Sequence, residues 1–371
     1  MKQFLPSLYI HVPFCRKKCS YCSFVVSIGQ EQRMDAYLDC LKKEAQPHAH
    51  TPVKTVYIGG GTPTLLDIPH LKKLQKIIKQ SFKFSEEAEV TIESNPEGLD
   101  EEKIKCLRDL GFNRVSLGVQ SLNDKYLKFL GRVHDEAKAR KAFVLLRKAG
   151  FKNVSVDLMY DFPQQSMAEL KKDLKDMTAL GADHVSLYAL TIEENSKFFV
   201  QNLKLQKDAV QKDRYELVAA TLEKNGYQQY EISNFSKKGK QSKHNLNYWT
   251  GGDYIGLGIG AHSHKSGRRS WNIARLTDYI KRMEAGLSAE EGFEALSPQE
   301  RLMETLLVGL RMNEGVNVMD LQKTFRFPFP DGFLEKVKEF AKAGLLSLKG
   351  DRLKATLKGK LILDEICSRL I

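Results

Sequence analysis

Six cysteines in 371 residues are too few and too unevenly placed for a disulfide framework, because three of them, Cys15, Cys19 and Cys22, fall within one eight-residue run. The chain has no apolar stretch long enough to span a bilayer. Its opening residues, MKQFLPSLYIHVPFC, contain neither a long apolar h-region nor a small-residue cleavage site. Secretion is therefore not expected, and free thiols suit the reducing cytoplasm. The glycine-rich turns lack the G-K-[ST] ending of a phosphate loop, which excludes a Walker-type cradle. There is no low-complexity linker and no solenoid repeat. The net charge is +12, but the lysines are spread over most predicted helices and no basic run carries an RNP-like aromatic motif. The charge reads as solvated basic faces, and nucleic acid is not an expected partner.

What the chain does have is the run HVPFCRKKCSYCSF, a C-x3-C-x2-C cluster directly after a strand-like segment. Three thiolates at this spacing can hold three corners of an iron–sulfur cube and leave the fourth iron open to a small molecule. A structural zinc site would need a fourth close ligand. His11 is the one nearby candidate, and it lies in an alternating strand, so the spacing favours iron–sulfur over zinc. Cys40, Cys106 and Cys367 are scattered and read as small buried hydrophobes.

From residue 8 to about 190 the sequence alternates strand and helix. Predicted strands are 8–14, 55–61, 90–95, 114–120, 153–160 and 184–190, several of them near-continuous aliphatic runs, as for strands covered on both faces. Between them lie amphipathic segments: Ile68, Leu71, Leu74, Ile78 and Phe82 share one helical face, as do Leu170, Leu174 and Met177. Six such units predict an α/β fold with a parallel sheet curving into a full or partial barrel, with an open doubly wound sheet as the fallback. Residues 191–290 look less regular, with a helix near 208–226 and the elements HNLNYW and GLGIGAHSH. Residues 291–371 read as a small α+β appendage of winged-helix type.

Ligands in parallel α/β folds gather at the C-terminal ends of strands. The cysteines, Gly59-Gly60-Gly61-Thr62, Glu93-Ser94-Asn95, Gln120 and Asp157 all fall at or near such ends. Bare glycine backbone at Gly60 and Gly61 lets a ligand approach closely. Glu93 offers a carboxylate for a ribose diol or an ammonium. Arg132 and Asp157 read either as an ion pair or as ligand contacts. His244, next to Tyr248 and Trp249, reads more readily as a core histidine than as an axial heme ligand.

Taken together, YIHVPFCRKKCSYC, VYIGGGTPT, TIESNPEG, RVSLGVQS, LGRVH, DLMY and YEISNF resemble the radical S-adenosylmethionine (SAM) proteins of the oxygen-independent coproporphyrinogen III oxidase family. The resemblance covers about residues 8–310, and the tail is also family-like. It implies a radical-SAM partial (β/α)6 barrel over 1–190, a barrel extension over 191–290 and a winged-helix-like domain over 291–371. It further implies a 4Fe–4S cluster on Cys15, Cys19 and Cys22, with SAM on the fourth iron and reductive cleavage of its sulfonium to a 5′-deoxyadenosyl radical. Tyr9 and Tyr21 would line the cofactor. Gly60, Gly61, Thr62 and Glu93 would hold its methionine end. Gln120, Arg132 and Asp157 would contact the same cofactor or a second copy. The oxidases of this family carry a fourth cysteine two residues after the third, where this chain has Phe24, and they have a longer N-terminal extension. Both features, and the intact H-N-x-x-Y-W element, are similar to the heme-chaperone (HemW) branch. That branch implies heme as cargo, an acceptor protein as partner and His244 as heme ligand. The alternative is decarboxylation of coproporphyrinogen III. Self-association as a homodimer is left open. Family members often read DLMYGLP where this chain reads DLMYDFP, which makes Asp161 and Phe162 the local departure.

Overall fold

The computed structural model describes residues 5–205 and 208–370, so the first residues of the opening segment lie outside it. Six strands form the core of the main sheet: β1 Ser7–Val12, β2 Thr51–Gly60, β3 Phe82–Ser94, β4 Arg114–Gln120, β5 Val154–Tyr160 and β6 His184–Ala189. They pair in parallel and in sequence order. The strand β7 Asn234–Ser236 adds antiparallel to β6. On the other side β8 Tyr254–Leu257 adds parallel to β1, so the GLGIG run begins as an eighth strand of the sheet and not as a nucleotide turn. Antiparallel strands β9 His262–Lys265, β10 Arg268–Asn272 and β11 Glu290–Ala295 extend that side further. The strand order runs from edge to edge without closing, which makes a partial barrel.

Period-two alternation explains why this barrel has a lining. Leu8, Ile10, Val56, Ile58, Val90, Ile92, Val115, Leu117, Val154, Val156, Val185 and Leu187 point outward and are buried. They are covered by helices that include α1 Met34–Ala45, α2 Ile68–Ser81, α3 Glu101–Asp109, α4 Glu136–Lys148 and α5 Met167–Leu180. The intervening residues point inward, and most are polar: Tyr9, His11, Thr55, Tyr57, Glu89, Glu93, Arg114, Ser116, Ser155, Asp157 and His184. The helix α2 stops at Ser81. Phe82, expected on its apolar face, instead opens β3, because Phe82–Phe84 pair with Thr51–Val53 of β2 before the register shifts.

The segment after β6 includes α6 Asp208–Lys224 and the seven-residue α7 Lys243–Trp249. The tail holds a three-stranded sheet of Val316–Asn317, Arg352–Ala355 and Leu346–Lys349, packed with helices into a core of its own around Leu306, Val337, Phe340, Leu353 and Ile366. Asn313 Nδ2 donates to Gln229 O, and Arg311 lies over the Trp249 ring, so the tail meets the segment that carries H-N-x-x-Y-W.

Candidate functional site

The cysteine loop leaves β1 at Pro13 and is pinned by backbone bonds to the loop after β2 and to the helices Asp124–Leu130 and Lys197–Val200. Gly61 N donates to Val12 O and Thr62 N to Phe14 O; Ser20 N donates to Leu130 O and Phe198 N to Ser20 O. Glycine is required where these chains converge. Gly60 holds φ +106°, and a Cβ there would lie 2.5 Å from the His11 ring; a Cβ on Gly61 would meet the Pro13 backbone at 2.7 Å. Tyr21 anchors the loop from below in an apolar cluster with Tyr126, Leu130, Phe162, Leu190 and Phe198.

A hydrogen-bonded path links two of the thiols across three strand ends. Cys15 Sγ lies 3.5 Å from Thr62 Oγ1, which accepts from Asn95 Nδ2 at 3.0 Å. Asn95 Oδ1 accepts from Arg132 Nη2 at 2.6 Å, and Arg132 Nη1 donates to Cys19 Sγ at 3.3 Å. Arg132 Nη2 also donates to Gly118 O at 2.9 Å. Asn95 is the keystone of this path. The sequence shows it only as a polar residue at the end of β3, because its partners come from the loop after β2 and from the turn that follows the helix Asp124–Leu130. Arg132 forms no ion pair with Asp157. Of its two expected roles, ion pair or ligand contact, the ion pair is absent, and the guanidinium meets the Cys19 thiol, the Asn95 amide and the Gly118 carbonyl.

Glu93 and Asp157 form a second feature, inside the barrel. Glu93 Oε1 accepts from Tyr57 Oη at 2.7 Å and Oε2 from Gly60 N at 3.0 Å. Asp157 accepts from Ser116 at 2.8 and 3.0 Å and from Ser155 at 3.2 Å. Neither carboxylate has a lysine or arginine at salt-bridge distance among the described residues. Burial pushes the Glu93 carboxyl up to about 7, with Asp157 adding to the rise and Tyr57 and Gly60 opposing it. Burial likewise raises Asp157. Two carboxylates held in low dielectric without a cation suit a cationic ligand. Gln120 ends β4 with φ +67°, a strained setting for a residue with a side chain and one that clusters at binding sites. Tyr9 lies one layer deeper, with its hydroxyl 3.0 Å from His11 Nδ1 and its ring against Tyr57.

The donor set fits an iron–sulfur cluster with an organic ligand better than a lone ion. All three thiols are free and half-buried. Among the described residues no His, Cys, Asp and Glu side chains converge as ligands of a single metal ion. Arg132 Nε is buried without a partner beside Cys19. Burial holds the Cys15 thiol up to about 11, so metal binding there must displace a proton.

His244 is placed as its neighbours suggest, in the core, and away from the cysteine loop. It sits on α7 at the opposite, N-terminal end of the barrel strands, 1% exposed. Its Nδ1 lies 2.8 Å from Thr55 Oγ1 and its Nε2 2.9 Å from Tyr248 Oη. Burial, with Arg114 and Lys54 adding, lowers its pKa to about 3. An axial ligand needs one free ring nitrogen, and both are engaged here. The described arrangement is that of a satisfied core histidine, which runs against the ligand expectation.

The departure at DLMYDFP is absorbed locally. Asp161 keeps the left-handed backbone at φ +65° that glycine would adopt, and its carboxylate pairs with the buried Arg214 of α6. Phe162 stacks on Tyr126 at 4.5 Å within the cluster beneath the cysteine loop.

With this geometry in view, residues 9–177 match the Radical SAM superfamily and residues 296–362 the HemN C-terminal domain. The heme chaperone HemW of Lactococcus lactis is 36% identical, covering 97% of this chain and 98% of its own. The heme chaperone HemW of Bacillus subtilis is 35% identical over 98% of both chains. The chain belongs to the HemW family. Among solved structures, coproporphyrinogen III oxidase (HemN) from Escherichia coli, a radical SAM enzyme, superposes with a TM-score of 0.86 at 26% identity, covering 99% of this HemW-family chain and 90% of the oxidase. Membership of the radical SAM superfamily implies a 4Fe–4S cluster and SAM, and the cysteine loop is the one place in this chain with the thiols for it. Among the described residues no helix is long and apolar enough to cross a membrane.

Proposed function

We propose that this protein is a heme chaperone that binds heme and passes it to an acceptor protein in the cytoplasm, on a frame that carries a SAM-bound 4Fe–4S cluster. The observation that carries this reading is the match over nearly the whole chain to proteins named as heme chaperones. It is supported by Phe24, which stands 65% exposed where the oxidases of the wider family have a fourth cysteine. In this reading Cys15, Cys19 and Cys22 hold the cluster, and bound SAM supplies one-electron cleavage of a sulfonium. Arg132 and Thr62 hold two of the thiols in place through Asn95. Gly60 and Gly61 let the methionine end of SAM approach the backbone, and Glu93 and Asp157 supply negative charge toward its cationic groups. Gln120 sits at the rim of the same cradle. Neither His244 nitrogen is assigned to heme. Tyr9 shapes the lumen below the cofactor, and Tyr21 supports the cysteine loop.

The test is uptake and delivery. Cluster-loaded protein titrated with hemin should develop a saturable Soret band, and an apo heme-protein added afterwards should take that band over. Failure to bind hemin would end the chaperone reading. The second reading, an oxygen-independent coproporphyrinogen III oxidase, is favoured by the close superposition on HemN and by the complete cofactor frame.

A further inference from the structure

The H-N-x-x-Y-W helix and the glycine-rich cradle lie at opposite ends of the barrel, yet one continuous set of contacts joins them. Glu89 on β3 holds the start of α7: its carboxylate accepts from Ser242 Oγ at 3.4 Å and from the backbone N–H of Lys243 and His244, both at 3.1 Å. His244 is thereby presented to the barrel floor. There Thr55 donates to Ser7 Oγ at 2.7 Å, which leaves its lone pairs for His244 Nδ1–H, while Nε2 accepts from the Tyr248 hydroxyl. The ring is fixed in position, tautomer and charge. Its face stacks on Tyr57 at 5.0 Å and 27°. Tyr57 is also packed by Tyr9, and its hydroxyl donates to Glu93, whose other oxygen accepts from Gly60 N. Thr55, Tyr57 and Gly59 are successive inward residues of β2, so one strand carries the contact from floor to mouth.

We infer that His244 is a positioning residue for the cofactor cradle: its ring, sealed into the barrel floor, holds Tyr57 so that Tyr57 holds the Glu93 carboxylate against Gly60, where the ammonium of SAM is received. The H-N-x-x-Y-W element then serves SAM binding through Tyr57 and does not ligate an iron. This rests on the reading that Glu93 faces SAM.

The experiment is a set of SAM dissociation constants, measured by equilibrium dialysis of radiolabelled SAM against cluster-reconstituted protein, with iron and sulfide content as the control for an intact cluster. Glu93→Gln tests the underlying reading; if it leaves SAM affinity unchanged, that reading fails. Given a Glu93 effect, Tyr57→Phe removes one hydroxyl and should weaken SAM binding about tenfold, the scale of one hydrogen bond to a charged group. His244→Ala should weaken it by a similar factor, and His244→Phe, which keeps a ring against Tyr57 but has no nitrogen, should restore affinity to within about twofold of the parent. Combining His244→Ala with Tyr57→Phe should cost no more than either alone, because both act along one path. Should His244→Ala fail to fold, the Tyr57→Phe and His244→Phe pair still decides. Equal losses in His244→Ala and His244→Phe, additive losses in the double variant, or unchanged affinity in Tyr57→Phe would each overturn the inference.

Discussion

The two ends of the barrel are built from the same strands and have opposite characters. At the floor, most polar side chains are paired with one another: His184 bridges Ser155 and Tyr230, His244 bridges Thr55 and Tyr248, and Glu89 closes the start of α7, while Arg114 Nε, Asn247 Oδ1 and Trp249 Nε1 are buried without a hydrogen-bond partner among the described residues. At the mouth the pairing is incomplete. Among the described residues Arg132 Nε has no partner, Glu93 and Asp157 have no lysine or arginine at salt-bridge distance, and Gly60 and Gln120 hold left-handed backbone. A largely paired polar floor rigidifies, while free thiols, buried carboxylates and left-handed backbone gathered at one end mark where a ligand completes the structure. Histidine, tyrosine and glutamate occur at both ends, so residue type alone does not tell them apart.

The sharpest way to break the comparison is at the mouth. Cys19→Ser should abolish cluster assembly, seen as loss of iron and sulfide from the reconstituted protein. Cys40→Ser, at a buried thiol on α1, should leave the iron content unchanged. Asp161→Gly comes next. It restores the family-like residue but leaves Arg214 charged and buried, and should cost about 3 kcal/mol in denaturant unfolding. Adding Arg214→Leu should recover most of that loss; a double variant as unstable as the single would show that the pair does not explain the departure.

A smaller effect comes from Glu93, and its sign is fixed by the direction of the shift. The folded carboxyl titrates at about 7, above its ordinary value, so the folded state holds the proton more tightly than the unfolded chain. The Glu93 contribution is therefore intact below the ordinary value of 4.5 and is lost progressively as pH rises from there to about 7. In the protein without SAM, the stability of the parent relative to Glu93→Gln should fall by on the order of 2 kcal/mol across that interval. A pH-independent difference would contradict the buried, cation-free setting. Smallest of all, Phe24→Ser should change neither cluster content nor stability by more than about 0.5 kcal/mol, because the ring is exposed.

Much of this contrast could be read from the chain, but unevenly. The strand 114–120 is legible to the residue because its run Val115–Val119 lies between the polar Arg114 and Gln120, which are the strand's own ends. The first half of β3 is not, since Ser85-Glu86-Glu87 breaks the alternation before Val90. The cysteine loop is a local pattern and is legible directly. Asn95 is a site residue only through Thr62 and Arg132, which no local pattern joins to it. His244 shows the converse. Its neighbours read as those of a core histidine and only the family resemblance implies a heme ligand, and Thr55, some 190 residues earlier in the chain, engages the Nδ1 nitrogen.

The central claim is that an oxidase-like frame here serves heme transfer. The most direct test is anaerobic incubation of cluster-reconstituted protein with coproporphyrinogen III, SAM and a reductant, with porphyrins separated by chromatography. The account predicts no decarboxylated product from a preparation that retains its cluster and takes up added heme. Accumulation of protoporphyrinogen under those conditions would contradict it and make the protein an oxidase despite Phe24.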